Sequence, residues 1–584
     1  MNQIKNSNKN LVSIIAASSA GTLIEWYDFF IFGSLATIIS TEFFPKENPV
    51  AAFLATLATF SAGLVVRPLG ALFFGRLGDI IGRKYTFMIT LVLMGGSTVA
   101  MGLVPTYQSI GFFSPLIVLI LRLLQGLAIG GEYGGAATYV AEHSPKDQRG
   151  FWTSWIQAST GLAFILSITV ILITKHSMDS DSWQNWGWRI PFLVSVFMVA
   201  ISVYMRKRMA ESPLFAKAKS EGKTSSNPLK ESFGNKENLK IVLLAFFGLA
   251  VGGGVIGWIG VYAQSFMIRT MSLDYDQANQ AIILGILIGI PFFFFFGWLS
   301  DKIGRKYLLM MGILAGIIGF RPIFNNMYQV TNLQHKIENK GAKIITTETQ
   351  HLPENHSLII NTVNHFYTDG TIYKEIKSDI TQNDTRKTEL SKAIIVTNTG
   401  KWKLISLVFL LEFIFTLSYG PLAAFMVEMF PLKIRYTSLS VPYHFGYGIF
   451  GGMAPYFATY LVQKANERGN TDYYLAGLTY PVLLMSISLI IGLIYLKENN
   501  PKQVFRLMPP GVINQIKKWF GIVWIAMGLL AAWYGIFKMG IPKIMSGQQE
   551  DIVFGSIIML IITPCAAIGL FFFGKYALQG EYDE

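Results

Sequence analysis

Two carboxylates three residues apart, Glu25 and Asp28, stand in the apolar run Gly21-Thr-Leu-Ile-Glu25-Trp-Tyr-Asp28-Phe29, a spacing that puts both on one face of a helix. An ionisable side chain at a bilayer centre costs roughly 2.5–3.5 kcal/mol on insertion scales, so one that persists there usually faces a cavity and has a task. Two like charges in low dielectric resist ionising together, the behaviour required of a proton carrier near neutral pH. The alternative is that one or both pair with a distant arginine purely for packing. Arg67 precedes Pro68 in a second apolar run, near enough to its end to reach for the interface. Arg122, Gln125, Ile129 and Glu132 share a face of another run. Arg122 is placed to bind an anionic group or to act as counter-ion to Glu25 and Asp28, with Glu132 the next proton candidate. In the second half of the chain, Tyr443 and Tyr447 are one helical turn apart and suited to lining a cavity, and Glu412 adds a buried acid. His444 between the tyrosines is either a packing residue or a ligand to a bound molecule.

A second pattern is duplicated. Residues 75–84 read GRLGDIIGRK and residues 297–306 read GWLSDKIGRK, with seven of ten positions identical. Each copy joins two apolar runs as a tight turn of a few residues. The glycines (Gly75, Gly82, Gly297, Gly304) let helix ends approach closely. Asp79 and Asp301 can accept charge-assisted hydrogen bonds from Arg83, Arg305 or neighbouring helix N-termini. A simple basic anchor would explain a single copy, but not a matched pair. Because Ser300 replaces Gly78 and Trp298 replaces Arg76, loss of Asp301 is expected to be the milder of the two.

The elements that carry these residues are membrane helices. Of 584 residues 52% are hydrophobic and 14% charged, with mean hydropathy +0.43, values outside the range of soluble domains. Runs of about 20 apolar residues, the length a bilayer demands, recur fourteen times. Six fall in 1–205, a first bundle. A Lys-rich linker, 206–240, precedes a second bundle of six in 241–322 and 403–497. Residues 323–402 form a polar insert between the ninth and tenth spans, and 498–584 hold an extra helical pair. The first run is too long for a signal segment and contains Glu25 and Asp28, so it is expected to be the first span. The basic groups, among them Arg206, Lys207 and Arg208, fall on one side if both termini are cytoplasmic, which puts the insert outside. Residues 343–347, 357–366 and 371–380 are rich in β-branched side chains, and Tyr367-Thr-Asp-Gly370 reads as a hairpin turn, predicting a small β-rich module. Four histidines there match no zinc spacing. Net charge +13 falls in short loops, without the aromatic-interleaved stripe of a nucleic-acid surface. One cysteine, Cys565, leaves no thiolate metal site or disulfide framework.

The duplicated turns resemble those of the major facilitator superfamily, where G-x-x-x-D-x-x-G-R-K/R between helices 2 and 3 and between helices 8 and 9 forms a conformational latch. Glu25-Trp-Tyr-Asp28-Phe, Arg67-Pro-Leu-Gly, Gly130-Gly-Glu132-Tyr, Trp186-Gly-Trp-Arg-Ile-Pro-Phe192, Glu211-Ser-Pro-Leu-Phe215 and Glu428-Met-Phe-Pro431 with Arg435 narrow the resemblance. They are similar to the metabolite:proton symporters, a branch that includes proline/betaine, α-ketoglutarate and shikimate carriers. The likeness covers about 12–325 and 403–497, and Arg122 looks more like the α-ketoglutarate and shikimate members. The insert, the last helical pair and the lack of a coiled-coil tail depart from the pattern. The resemblance implies an all-α membrane fold of two six-helix bundles with the extra pair and β-rich insert. It also implies a monomer in the bacterial inner membrane that takes up a small organic acid or zwitterion together with protons. Proton coupling would rest on Glu25, Asp28 and Glu132, and substrate binding on Arg67, Arg122, Gln125, Tyr443, His444 and Tyr447. No nucleotide loop, HExxH or nucleophile elbow suggests an enzyme, and neither cofactor nor metal is expected. A sensor or receptor that uses the insert is the alternative.

Overall fold

The computed structural model describes residues 2–45, 49–207, 213–222, 225, 227–339, 344–352, 356–382, 385–498 and 510–583. Among these, twelve helices are long and apolar enough to cross a membrane, and a bent pair, Ile15–Ser34 and Ala36–Glu42, meeting at 61°, makes thirteen. The remaining expected span, 438–462, is helical over Arg435–Tyr443, His444–Gly451 and Ala454–Glu467. A π-turn and the break at Gly452 and Met453 divide it, and its first piece is rich in Ser, Thr and Tyr. We number the bent pair as the first span. The second to sixth are Ala52–Ile80, Lys84–Leu103, Phe113–His143, Lys146–His176 and Gly187–Tyr204. The seventh to tenth are Lys236–Thr270, Tyr275–Ile303, Arg305–Thr331 and Asn398–Met429. The divided segment is the eleventh, Tyr473–Tyr495 the twelfth, and Gly511–Ile544 and Asp551–Leu578 the last two.

Two boundaries move. The ninth span runs to Thr331 and the tenth starts at Asn398, so the insert is shorter than 323–402 by about two and a half helical turns at its start and about one and a half at its end. The duplicated turns shrink as well. Gly75 to Ile80 and Gly297 to Ile303 lie within helices, leaving little more than Gly82 and Gly304 as connectors, with φ of 123° and 103°. Both angles lie in a region closed to side chains with a Cβ.

Glycine also sets how close the spans come. A Cβ on Gly63 would lie 2.8 Å from the Arg122 carbonyl, and one on Gly126 or Gly130 would run into the second-span backbone. The second and fourth spans therefore touch backbone to backbone, with Arg122 at the level of Gly63, a helical turn from Arg67. In the other half a Cβ on Gly254 would lie 2.6 Å from the Gly446 carbonyl, setting the seventh span against the π-turn that carries His444 and Tyr447. Across the halves the fifth span packs along the eighth, and the second along the eleventh.

The insert is a four-stranded antiparallel meander, β1 (Ile344–Leu352), β2 (His356–Phe366), β3 (Ile372–Gln382) and β4 (Thr385–Ile395). The turn at 367–370 joins β2 to β3, with Gly370 at φ 86° and its N–H donated to the Tyr367 carbonyl at 2.9 Å. The fourth strand was not expected. The sheet is rooted in the loop between the seventh and eighth spans: Ile394 donates to the Ser272 carbonyl at 2.7 Å, and Asp274 donates to the Ile394 carbonyl at 2.9 Å. Gln277 then brackets the Val396 backbone with both ends of its amide.

Candidate functional site

Arg67 follows the break at Val66 in the second span and is fully buried. Its guanidinium lies 4.8 Å from the Trp26 ring centroid, 4.7 Å from Phe29 and 5.8 Å from Trp258. It does not reach for the interface, because these rings from both halves surround it in the membrane interior. None of its three guanidinium nitrogens has a hydrogen-bond partner among the described residues. Arg122 is also fully buried, within 5 Å of the centroids of Phe29, Phe32 and Phe60. Its Nη1 donates to Gln125 at 2.7 Å, while Nε and Nη2 have no partner. Aromatic faces offset part of the burial of a cation, but they leave its N–H groups unsatisfied. Buried donors in this condition are held for something else.

Around these arginines the halves meet in a stack of tyrosines. Tyr133 lies face to face with Tyr443, centroids 3.7 Å apart, and Tyr443 stacks on Tyr447 at 4.4 Å. The Tyr419 and Tyr443 hydroxyls are 2.8 Å apart, and Gln157 donates to the Tyr133 hydroxyl and the Tyr419 carbonyl. The Tyr447 hydroxyl and both ring nitrogens of His444 are buried without partners. Span eleven comes up to Arg67 itself, since a Cβ on Gly448 would sit 3.4 Å from its side chain.

The carboxylates divide between two settings rather than acting as one pair. Asp28 accepts a hydrogen bond from Ser195 at 2.5 Å and has the Thr98 hydroxyl within reach. Thr98 accepts from Gln125, and Gln125 accepts from Arg122, both at 2.7 Å. The Thr98 hydroxyl itself donates to the Met94 carbonyl at 3.0 Å, so Thr98 and Gln125 stand as polar groups between Asp28 and Arg122. Glu25 turns the other way, to Arg206. The Arg206 Nη2 donates to Glu25 at 3.0 Å and to Glu132 at 2.5 Å, and Nη1 donates to the Phe87 carbonyl at 2.6 Å. Each carboxylate keeps one oxygen without a partner. Neither Arg67 nor Arg122 is the counter-ion of Glu25. Arg206, which its neighbours Lys207 and Arg208 made look like part of the solvated linker, is 3% exposed in the last turn of the sixth-span helix.

The duplicated aspartates cross between halves. The Asp79 carboxylate accepts from the backbone N–H of Thr437 at 3.1 Å and from its hydroxyl at 2.7 Å, at the start of the eleventh span. Asp301 accepts from the backbone N–H groups of Gly150 and Phe151, both at 2.9 Å, at the start of the fifth span, and from Arg305 at 2.9 Å. Each carboxylate faces the positive end of a helix dipole in the opposite half. The Arg83 side chain lies outside the described residues. Gly75 lies against Thr437 and Gly297 against Gly150 and Ser154, so the glycines clear the contact surface. Tyr436 also donates to the Gly131 carbonyl across the same seam. A second duplication escaped sequence reading: Glu142-His-Ser-Pro145-Lys-Asp-Gln-Arg149 and Glu428-Met-Phe-Pro431-Leu-Lys-Ile-Arg435 share an E-x-x-P-x-x-x-R spacing. Arg435 reaches Glu142 at 3.4 Å, and Glu428 takes Arg149 at 3.5 Å and Arg305 at 2.7 Å. At the opposite face Lys175 and His176 meet Asp276 at 2.8 and 3.2 Å, and Tyr275 reaches the Ser34 carbonyl. Both faces of the central site are fastened.

A family model for sugar (and other) transporters matches residues 12–242. The chain is 30% identical over 490 residues to the inner membrane metabolite transport protein YhjE of Escherichia coli (strain K12), covering 83% of this chain and 94% of that protein. It is 32% identical over 324 residues to the shikimate transporter of the same strain, 53% of this chain and 70% of that one. This chain belongs to the metabolite-transporter branch of the major facilitator superfamily. Within that superfamily, the match to the proline/betaine transporter of Salmonella typhimurium is 34% identical over 310 residues, 52% of this chain, and spans 62% of that relative's length. Among solved structures, the proton:xylose symporter XylE superposes with a TM-score of 0.59 at 17% identity, covering 84% of this chain and 95% of that one, a likeness of fold. The last pair of helices is a facilitator appendage with its own relatives: residues 513–584 match a family of unknown function.

Proposed function

We propose that this facilitator is a secondary active transporter that takes up a small carboxylate-bearing metabolite, an organic acid or a zwitterion, together with protons across the plasma membrane. The observation that carries the reading is the pair of buried guanidinium groups, Arg67 and Arg122, with five nitrogens that find no partner among the described residues. A planar fork of donors fits a carboxylate, and the stacked tyrosines with His444 supply the remaining polar contacts. The site lies between the two halves, where rocking about it exposes it to each side in turn. With the latches fastened, the basic latch face is closed. The positive-inside bias makes that face cytoplasmic and the insert external.

The carboxylates support proton coupling by simple charge bookkeeping. Glu25 and Glu132 share one cation, Arg206, so the three groups are neutral together only with one proton bound. Asp28 is held by hydroxyls, and Thr98 and Gln125 stand between it and Arg122, so a substrate anion on Arg122 changes the field at Asp28. Asp28 is the carrier and the Arg206 cluster the relay towards the latch face.

Counterflow in proteoliposomes with radiolabelled dicarboxylates, shikimate, proline and betaine tests the reading. One of these is expected to exchange, and Arg67→Lys and Arg122→Lys, which keep the charge but lose the fork, should each weaken it by more than tenfold while leaving thermal unfolding nearly unchanged. No exchange of any carboxylate, or equal loss of stability and exchange, overturns it.

A further inference from the structure

The last helical pair encloses space against the transporter core. A cavity of about 350 Å³ lies between the seventh span (Val242, Phe246), the eleventh (Pro442, Phe445) and the fourteenth (Cys565, Ile568). All its lining residues are apolar or carry only a thiol. A second cavity of about 390 Å³ shares Phe233 and Leu239 with it and is bordered by Lys236, Lys575, Tyr576 and Gln579. The two adjoin at Phe233 and Leu239, a slot with an apolar interior beside a mouth that carries two lysines.

We propose that this slot holds an anionic glycerophospholipid of the surrounding bilayer, an acyl chain in the apolar interior and the phosphate at Lys575 and Lys236. The dimensions fit. Lys236 opens the seventh span and Phe246 is ten residues further on, about 15 Å along a helix, which is the depth of one leaflet of a bilayer core about 30 Å thick. The charge fits as well. Lys575 is exposed at the latch-face end of its helix. Lys236 is half-exposed, with the Glu581 carboxylate 2.5 Å away, while Lys240 is shared between Glu237 and Glu581. Three lysines against two carboxylates leave a net charge of +1 at the mouth, carried by Lys575. Pro442, in the helix Arg435–Tyr443, and Phe445, in the π-turn that follows it, neighbour Tyr443, His444 and Tyr447 in sequence, so the bound chain braces the segment that carries the central site.

The test uses the full chain in detergent, titrated with phosphatidylglycerol and with phosphatidylcholine of the same acyl chains and read by native mass spectrometry. A lysine at a membrane surface favours an anionic lipid by about fivefold. The wild type should retain one phosphatidylglycerol at least that much better than phosphatidylcholine, and Lys575→Gln should reduce the preference about fivefold. Lys518→Gln, at the same membrane edge but outside the slot, should leave it unchanged. Ile568→Trp fills the interior and should lower retention of both lipids; if that variant fails to fold, the two lysine variants decide alone. Equal retention of the two lipids by the wild type overturns the proposal. So does a preference that survives Lys575→Gln, or one that Lys518→Gln lowers equally.

Discussion

Replacing Asp301 by Asn tests whether the crossed aspartates hold the latch face shut. The carboxylate takes two backbone N–H groups of the fifth span and Arg305, each at 2.9 Å. An asparagine presents one oxygen and one NH₂ to the same two donors, so one bond is lost outright and the other loses its charge. At about 1.5–3 kcal/mol for a bond to a charged group and about 1 for a neutral one, the closed state loses about 2–5 kcal/mol. That shifts its population relative to the open state by roughly 30- to 4,000-fold. Asp79→Asn should cost less, because both bonds from Thr437 end on one carboxylate oxygen, which the amide oxygen of an asparagine can replace. The order is opposite to that expected from the Ser300 and Trp298 replacements, since what matters is the fixed backbone donors of the other half. Spin labels at exposed positions 147 and 302, in a Cys565→Ala background, report the separation of the halves at this face. A distance distribution unchanged by Asp301→Asn refutes the reasoning, as does a larger opening in Asp79→Asn.

Three further outcomes follow from the same contacts. Arg206→Gln leaves two buried carboxylates without their cation and should cost about 3–5 kcal/mol, most of it recovered in a Glu25→Gln/Glu132→Gln background; additive thermal-unfolding losses would sever the three groups. Asp28→Asn should abolish accumulation driven by an imposed pH gradient while sparing exchange, and accumulation at the wild-type level would move the carrier elsewhere. Gly304→Ala forces a Cβ into φ 103° and should destabilise by about 1–3 kcal/mol, read as a lowered unfolding midpoint, whereas Gly547→Ala at an exposed loop, φ 73°, should leave the halves' spacing untouched.

What could be read in advance was whatever announces itself locally. A charge inside an apolar run stands out by cost alone, which is how Glu25, Asp28, Arg67, Arg122 and Glu132 were found. The matched turns showed because both copies keep the same residues. Partnerships across the fold were not legible. Arg206 sits at a helix end among basic neighbours, where the same residue type serves to orient a span, and only the position of the sixth span against the first and fourth turns it inward. The E-x-x-P-x-x-x-R repeat is equally local, but only the fold shows its arginines and glutamates pairing across the halves. The stack of Tyr133, Tyr443 and Tyr447 needs two halves brought together. Strand β4, with four charged residues in Thr385–Ile395, carries too weak an apolar alternation to declare itself.

The way the sheet is rooted makes it a lever. Its anchor, the backbone exchange of Ile394 with Ser272 and Asp274, belongs to one half of the protein, and Thr385, at the far end of the same strand, is about 30 Å away at 3.3 Å per residue. A 10° tilt of that half would sweep the far end through about 5 Å by this geometry. A probe fixed there would magnify a displacement that is small at the central site, and a molecule gripping the tip from outside would gain the same mechanical advantage in reverse.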